Sequence, residues 1–289
     1  MLVHYRELFE NDFSGQYAIP AFNTINLETT LGIARAAQAK HAPVIMAVSG
    51  RTIEYAGLNT IIDIVSSVAN DPAITVPVAL HLDHAKDEDL IERAINAGFS
   101  SVMIDASSKP YEENLEATQK TVAYAKPKGI WVQAELGKLR GNEDWVSISD
   151  AEALYTDPKE AAQFVADTQV NTLAIAVGTI HGIIKFREKI TPKLDIERIK
   201  AVKSLINIPL ILHGASGVDA AQLRQAIEAG MCVVNIDTEL RLAFTAGIRQ
   251  ALADESMYDP RNILGPAIDS VQKAAEAKLD ELGTSGKAK

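Results

Sequence analysis

The 289-residue chain is 47% hydrophobic and 23% charged, the profile of an ordinary globular protein, and is long enough to bury a core without disulfide staples. Its formal net charge of −10 argues against nucleic acid as a partner, because a polyphosphate backbone needs a basic face, whereas a small phosphorylated ligand needs only a few local donors. One cysteine, Cys232, excludes an internal disulfide; no uninterrupted apolar run offers a membrane span and the N-terminus lacks a signal-peptide layout, so the expected setting is cytoplasmic.

Short apolar runs alternate with amphipathic stretches from end to end. Residues 17–22 predict the first strand and 26–40 a helix, with Leu27, Leu31 and Ala34 at helical spacing. Residues 43–48 are the second run, followed by a helix over 59–70. Residues 76–82 are the third, after which Asp87, Glu88 and Asp89 place acids in a helix's first turn, where the dipole favours them. The fourth run is 101–104, with a helix over 111–125, and the fifth is 130–134. A long polar loop, 137–156, precedes Asp157 and Pro158, an N-cap with proline at the first helical position. Runs six to eight are 173–177, 208–212 and 232–236, with helices over 195–205, 220–229 and 239–253. Cys232 lies in the last of these runs and reads as a small core residue.

Eight strand-helix units in sequence predict an α/β fold, a closed (β/α)8 TIM barrel in a single domain, 1–289, with an additional C-terminal helix over 266–282. The runs are nearly continuous in apolar residues, as strands buried on both faces must be. An open doubly wound sheet is the alternative, but no Gly-x-Gly-x-x-Gly follows the first strand.

Three histidines stand at the ends of predicted strands three, six and seven: His84 in His81-Leu82-Asp83-His84, His181 in Gly178-Thr179-Ile180-His181-Gly182, and His213 in His213-Gly214-Ala215-Ser216-Gly217. In a barrel those ends share one mouth, where three imidazoles would form an open metal site. The alternative is a structural role for each, since neither His-x-His nor His-Glu-x-x-His occurs. His4 and His41 fall outside the mouth. Asp83 and Glu135 are carboxylates at strand ends; each reads as a base near a cation, or else as a helix cap and an ion pair respectively. Glu143 and Asp144 lie in the long loop, as solvated charges or as part of a lid. Gly214 to Gly217 and Asn235 to Thr238 each lead into a helix and suit phosphate, and Lys185 can add a cation.

Together these residues resemble the class II, metal-dependent fructose-1,6-bisphosphate aldolases. The match also takes in Ala21-Phe22-Asn23, Ser101-Val102-Met103-Ile104-Asp105, Ala134-Glu135-Leu136-Gly137, Gly141-Asn142-Glu143-Asp144, Asn235-Ile236-Asp237-Thr238, Tyr258-Asp259-Pro260-Arg261 and the tail from Gly283. The resemblance implies one zinc ion (Zn2+) or another divalent metal on His84, His181 and His213, with Glu135 close to it. It implies reversible cleavage of fructose 1,6-bisphosphate to dihydroxyacetone phosphate and glyceraldehyde 3-phosphate, a lyase reaction of glycolysis and gluconeogenesis. Asp83 matches the residue that takes the C4 hydroxyl proton, and Glu143 the acid that exchanges the proton at C3. Gly182, Lys185, Gly214, Ser216 and Thr238 match the dihydroxyacetone phosphate end, with Asn235 beside the enediolate. Ser49, Arg241 and Arg261 match the other phosphate's neighbourhood, Arg261 reaching in from a second subunit, which implies a homodimer or homotetramer. Sodium or potassium near the phosphate is a feature of some members.

Asp237 and Arg241 match fructose-specific members rather than tagatose-1,6-bisphosphate aldolases, which share the mechanism. A non-catalytic sugar-phosphate-binding barrel is the other alternative. The chain departs from the family pattern at Val233, Ala85, Ala106 and Gln133, and around Ser49-Gly50-Arg51-Thr52.

Overall fold

A computed structural model describes residues 1–10, 16–143, 146–148 and 154–288. Eight parallel strands form the barrel: β1 (Ile19–Asn23), β2 (Val44–Ser49), β3 (Val78–Ala85), β4 (Ser101–Ile104), β5 (Trp131–Leu136), β6 (Thr172–Ile175), β7 (Leu210–Leu212) and β8 (Met231–Ile236). Each pairs with its neighbours in sequence, and Val233 to Ile236 of β8 lie beside Ile19 to Phe22 of β1, so the sheet closes.

Strand alternation divides the apolar residues between two cores. Phe22, Val44, Met46, Val48, Val78, Leu80 and Leu82 face outward into the layer under the helices. Ile19, Ala21, Ile45, Ala47, Ala79, Ala174, Ile211 and Val233 face inward and pack as a separate cluster. Burial on both faces explains the unbroken apolar runs. A 3-10 turn, Tyr5–Phe9, closes the lower end: Tyr5 and Leu8 are buried in the inner cluster, and Phe9 stacks on Trp131 at 5.3 Å. The sequence before residue 17 has no periodicity to reveal this plug.

The outer layer consists of α1 (Leu27–Ala39), α2 (Gly50–Ala56), α3 (Leu58–Ala69), α4 (Glu88–Asn96), α5 (Tyr111–Ala125), α6 (Pro158–Thr168), α7 (Ile184–Glu188), α8 (Ile196–Leu205), α9 (Ala220–Glu228), α10 (Thr238–Ala251) and α11 (Pro260–Glu281). Most start on an acid or amide. Asn26, Asp87, Asp157, Asp195, Asp219 and Asp259 each accept a backbone N–H of the first turn, a cap worth about 1 kcal/mol apiece.

Three segments differ from expectation. The C-terminal helix begins at Pro260 rather than 266, because Asp259 caps it and Pro260 fits its first turn; Pro266 lies inside it. This helix lies so close to α1 that a Cβ on Gly32 would stand 2.7 Å from Val271 Cγ1. Residues 50–56, which carry no predicted element, form α2 with Ser49 as the cap. Within the polar loop, Arg140–Glu143 and Val146–Ile148 pair antiparallel, and Arg140–Glu143 also runs parallel to Ile180–His181. Among the described residues no helix is long and apolar enough to cross a membrane.

Candidate active site

The C-terminal ends of the strands open into a cleft of about 410 Å³. Inward alternation along β3 runs Ala79, His81, Asp83, which would leave His84 facing outward. It does not, because His84 adopts a left-handed backbone (φ 46°) at an irregularity in the β3–β4 register. Asp83 and His84 therefore both line the cleft although adjacent in sequence. His213 follows β7 directly. His181 comes from the short strand that pairs with the 140–143 segment, so the side sheet fixes its backbone.

Donor atoms of His84, His181 and His213 lie within 4.8 Å of one another, all three side chains buried. His84 Nδ1 is 3.1 Å from Asp105 Oδ2, and a carboxylate only accepts, so Nδ1 donates and the Nε2 lone pair faces the cluster. His213 Nε2 donates to Gln133 Oε1 at 3.3 Å, which turns its Nδ1 lone pair the same way. These two lone-pair nitrogens are 2.6 Å apart. Two acceptors aimed at one point repel unless a cation or proton sits between them, so the donor set fits a metal ion. Glu135 is buried beneath them, with Oε2 3.9 Å from His213 Nδ1, and forms a second candidate group with His84 and Asp105.

The polar partners of the ligands are themselves held, as second contacts around a metal must be. Asp105 also accepts from the Ser107 hydroxyl at 2.7 Å. Gly214 (φ 63°) stands where a Cβ would be 2.6 Å from His181 Cδ2, so only glycine lets the β7 loop approach that ring.

Asp83 sits at the centre of a buried amide clamp. Asn23 Nδ2 donates to its Oδ2 at 2.8 Å and Asn235 Nδ2 to its Oδ1 at 3.2 Å, while Oδ1 is 3.9 Å from His84 Nε2. Lower in the barrel, His81 Nδ1 meets Ser101 Oγ at 2.9 Å. Burial, and then repulsion from His84, push its pKa down to about 3, so this imidazole is neutral.

Around the rim the structure brings together Ser49, Gly182, Lys185, Gly214, Ser216, Asn235, Asp237, Thr238 and Arg241. Lys185 is buried and donates to the carbonyls of Ile180 and Gly214, at 2.5 and 2.8 Å. The Asp237 N–H donates to Ser216 Oγ at 3.3 Å, tying the loops after β7 and β8 together. Arg241 Nε donates to Asp237 Oδ1 at 2.6 Å. Arg261 does not line the cleft: its guanidinium is exposed and pairs with Asp259 at 2.7 Å. The Glu143 side chain and Asp144 lie outside the described residues.

Asn23, Arg51, Leu242 and Thr245 also line the cleft. Asn23 had a signal, the end of a predicted strand. Leu242 and Thr245 look like ordinary helix residues in sequence, and Arg51 falls in a stretch with no predicted element. Of the departures from the family pattern, Ala85, Ala106 and Val233 are buried core residues.

A buried three-imidazole cluster at the mouth of a parallel barrel, beside an aspartate clamped by two amides, is the architecture of a metal-dependent barrel enzyme. The model of the family "Fructose-bisphosphate aldolase class-II" matches residues 3–287. The chain is 41% identical to the fructose-bisphosphate aldolase of Geobacillus stearothermophilus over 289 residues, 99% of each chain. It is 40% identical to that of Staphylococcus epidermidis, covering 100% of this chain and 99% of the relative. Among solved structures it resembles the YdjI aldolase of Escherichia coli K12 (TM-score 0.85, 31% identity, 100% of both chains). It also resembles a putative fructose-1,6-bisphosphate aldolase of Coccidioides immitis (TM-score 0.88, 32% identity, 98% of this chain and 97% of that one). The chain belongs to the class II fructose-bisphosphate aldolase family, whose members are metal-dependent lyases acting on sugar phosphates.

Proposed function

We propose that this chain catalyses the reversible aldol cleavage of fructose 1,6-bisphosphate to dihydroxyacetone phosphate and glyceraldehyde 3-phosphate. The observation that carries this reading is the meeting of three imidazoles and the clamped Asp83 at one point of the cleft. His84, His181 and His213 would hold a divalent ion, zinc in this reading, with Glu135 beside them. A bound divalent ion supplies Lewis-acid polarisation of the substrate carbonyl.

Asp83 takes the proton of the C4 hydroxyl. The Asn23 and Asn235 amides fix both of its oxygens while each keeps lone-pair capacity to accept the hydroxyl. Glu143 exchanges the proton at C3. The loops after β6, β7 and β8, with Gly182, Gly214, Ser216 and Thr238, hold the dihydroxyacetone phosphate group, helped by the N-terminus of the 14-residue α10 and the charge of Lys185. Lys185 spends its ammonium on two carbonyls, which argues against an amine nucleophile. Asp237 and Arg241 favour fructose over tagatose 1,6-bisphosphate. In this reading Arg261, exposed and paired with Asp259, reaches the substrate phosphate of a second copy of the chain in a homodimer or homotetramer.

The test is a cleavage assay on both sugar bisphosphates, with and without chelator. Chelation should abolish activity, and zinc or cobalt should restore it. The wrong epimer, mismatched to Asp237 and Arg241, should show a kcat/KM about 10- to 100-fold lower. Full turnover in excess chelator, with a borohydride-trappable lysine adduct, would contradict the reading.

A further inference from the structure

Among the described residues two lysines are buried, Lys185 and Lys278, and both act on one turn. That turn, Gly214 to Gly217, follows β7 and lines the cleft through Gly214 and Ser216. At its first residue, Lys185 Nζ donates to the Gly214 carbonyl at 2.8 Å. At its last, the Gly217 N–H donates to Glu239 Oε1 at 2.5 Å. Glu239 is the second residue of α10, and its Oε2 lies 3.1 Å from Nζ of Lys278, in the last turn of α11. Lys278 also pairs with Glu281 at 2.7 Å. Neither Glu239 nor Lys278 lines the cleft.

Stability alone does not account for this arrangement. A buried ion pair recovers little more than its desolvation cost, and apolar side chains of similar volume would serve the packing as well. What the pair supplies is direction. A peptide group is planar, so anchoring the Gly217 N–H fixes the whole Ser216–Gly217 unit. It does so at a left-handed glycine (φ 75°), the residue type with the most backbone freedom. The Asp237 N–H on Ser216 Oγ is a further tie from the start of α10. Charge enters as well. A bare carboxylate in the first turn of α10 would compete with a bound anion for the positive end of that helix, and the Lys278 ammonium offsets it.

We propose that Glu239 and Lys278 are positioning residues: their ion pair holds the turn after β7 in the shape that receives the dihydroxyacetone phosphate half of the substrate. Helix α11 thereby takes part in recognition without touching the substrate. This rests on the aldolase reading.

Condensation of dihydroxyacetone phosphate with glyceraldehyde 3-phosphate by the metal-loaded protein gives a separate KM for each half. Two double variants remove the ion pair without leaving a charge unpaired in Glu239's place, so both should fold. Lys278→Met with Glu239→Ala leaves the Gly217 N–H without its acceptor. KM for dihydroxyacetone phosphate should then rise about tenfold, with kcat within about threefold. KM for glyceraldehyde 3-phosphate should stay within about twofold, which a general loss of structure would not allow. Lys278→Met with Glu239→Gln keeps an oxygen for that N–H, and both KM values should stay within about threefold of the unmodified protein. Lys278→Met alone, which leaves the carboxylate bare, should raise KM for dihydroxyacetone phosphate more than the glutamine double variant does.

Equal changes in the two KM values, or the same KM for dihydroxyacetone phosphate in the alanine and glutamine double variants, would overturn the proposal. Proton exchange into dihydroxyacetone phosphate by the unmodified protein separates the two levels. Its presence with a failed variant test removes only the positioning role, whereas its absence removes the aldolase reading and the proposal with it.

Discussion

The lower and upper halves of the barrel interior come from the same strands under the same alternation, and they contain opposite chemistry. Two residues further along a strand, Ala21 gives way to Asn23, Ala47 to Ser49, Ile211 to His213 and Val233 to Asn235. The lower half is hydrocarbon capped by Tyr5 and Leu8. The upper half buries imidazoles, carboxylates and amides that would be costly without partners. Nearly all have them: Asn23 and Asn235 on Asp83, Asp105 on His84, Gln133 on His213. His81 lies at the boundary and is held neutral by burial. Rigidity is supplied below, and above it the polar network fixes side chains whose positions matter for chemistry.

Two substitutions would break that division if it is wrong. The larger effect is expected at the top. Asp83→Ala should lower kcat for bisphosphate cleavage by roughly 10²–10⁴, the usual range for a general acid–base group. Bound metal should be retained, because Asp83 is not among the proposed ligands; steady-state kinetics paired with metal analysis decides. At the bottom, Ile45 is fully buried in the inner cluster. Ile45→Ala should cost about 2–5 kcal/mol of stability, read as a shift of the denaturation midpoint, while kcat of the folded protein stays within about twofold. A loss of kcat from Ile45→Ala comparable to that of Asp83→Ala would mean the halves are not separable.

The barrel was legible because each strand carries a run of apolar residues and most helices begin on an acid or amide cap. The imidazole trio was legible because strand ends of a barrel share one mouth, so His84, His181 and His213 could be placed together before any coordinates. Other features depend on tertiary geometry that sequence spacing does not encode. Alternation alone puts His84 outside, and only the left-handed backbone at the register irregularity turns it in. The strand Arg140–Glu143 gains its parallel partner only where Ile180–His181 passes beside it. Arg51 falls in a stretch with no predicted element, and only the helix that forms there after β2 carries it to the cleft.

In the proposed function, three imidazoles, from β3, the short strand after β6 and the loop directly after β7, act as one metal site. Counting metal in stripped and zinc-reloaded protein tests it most directly, with His84→Ala, His181→Ala and His213→Ala measured beside the unmodified chain. About one equivalent of zinc per chain is expected in the unmodified protein, lost together with cleavage activity in each histidine variant. A full equivalent retained in all three variants, or full turnover by protein that holds no metal, would contradict it.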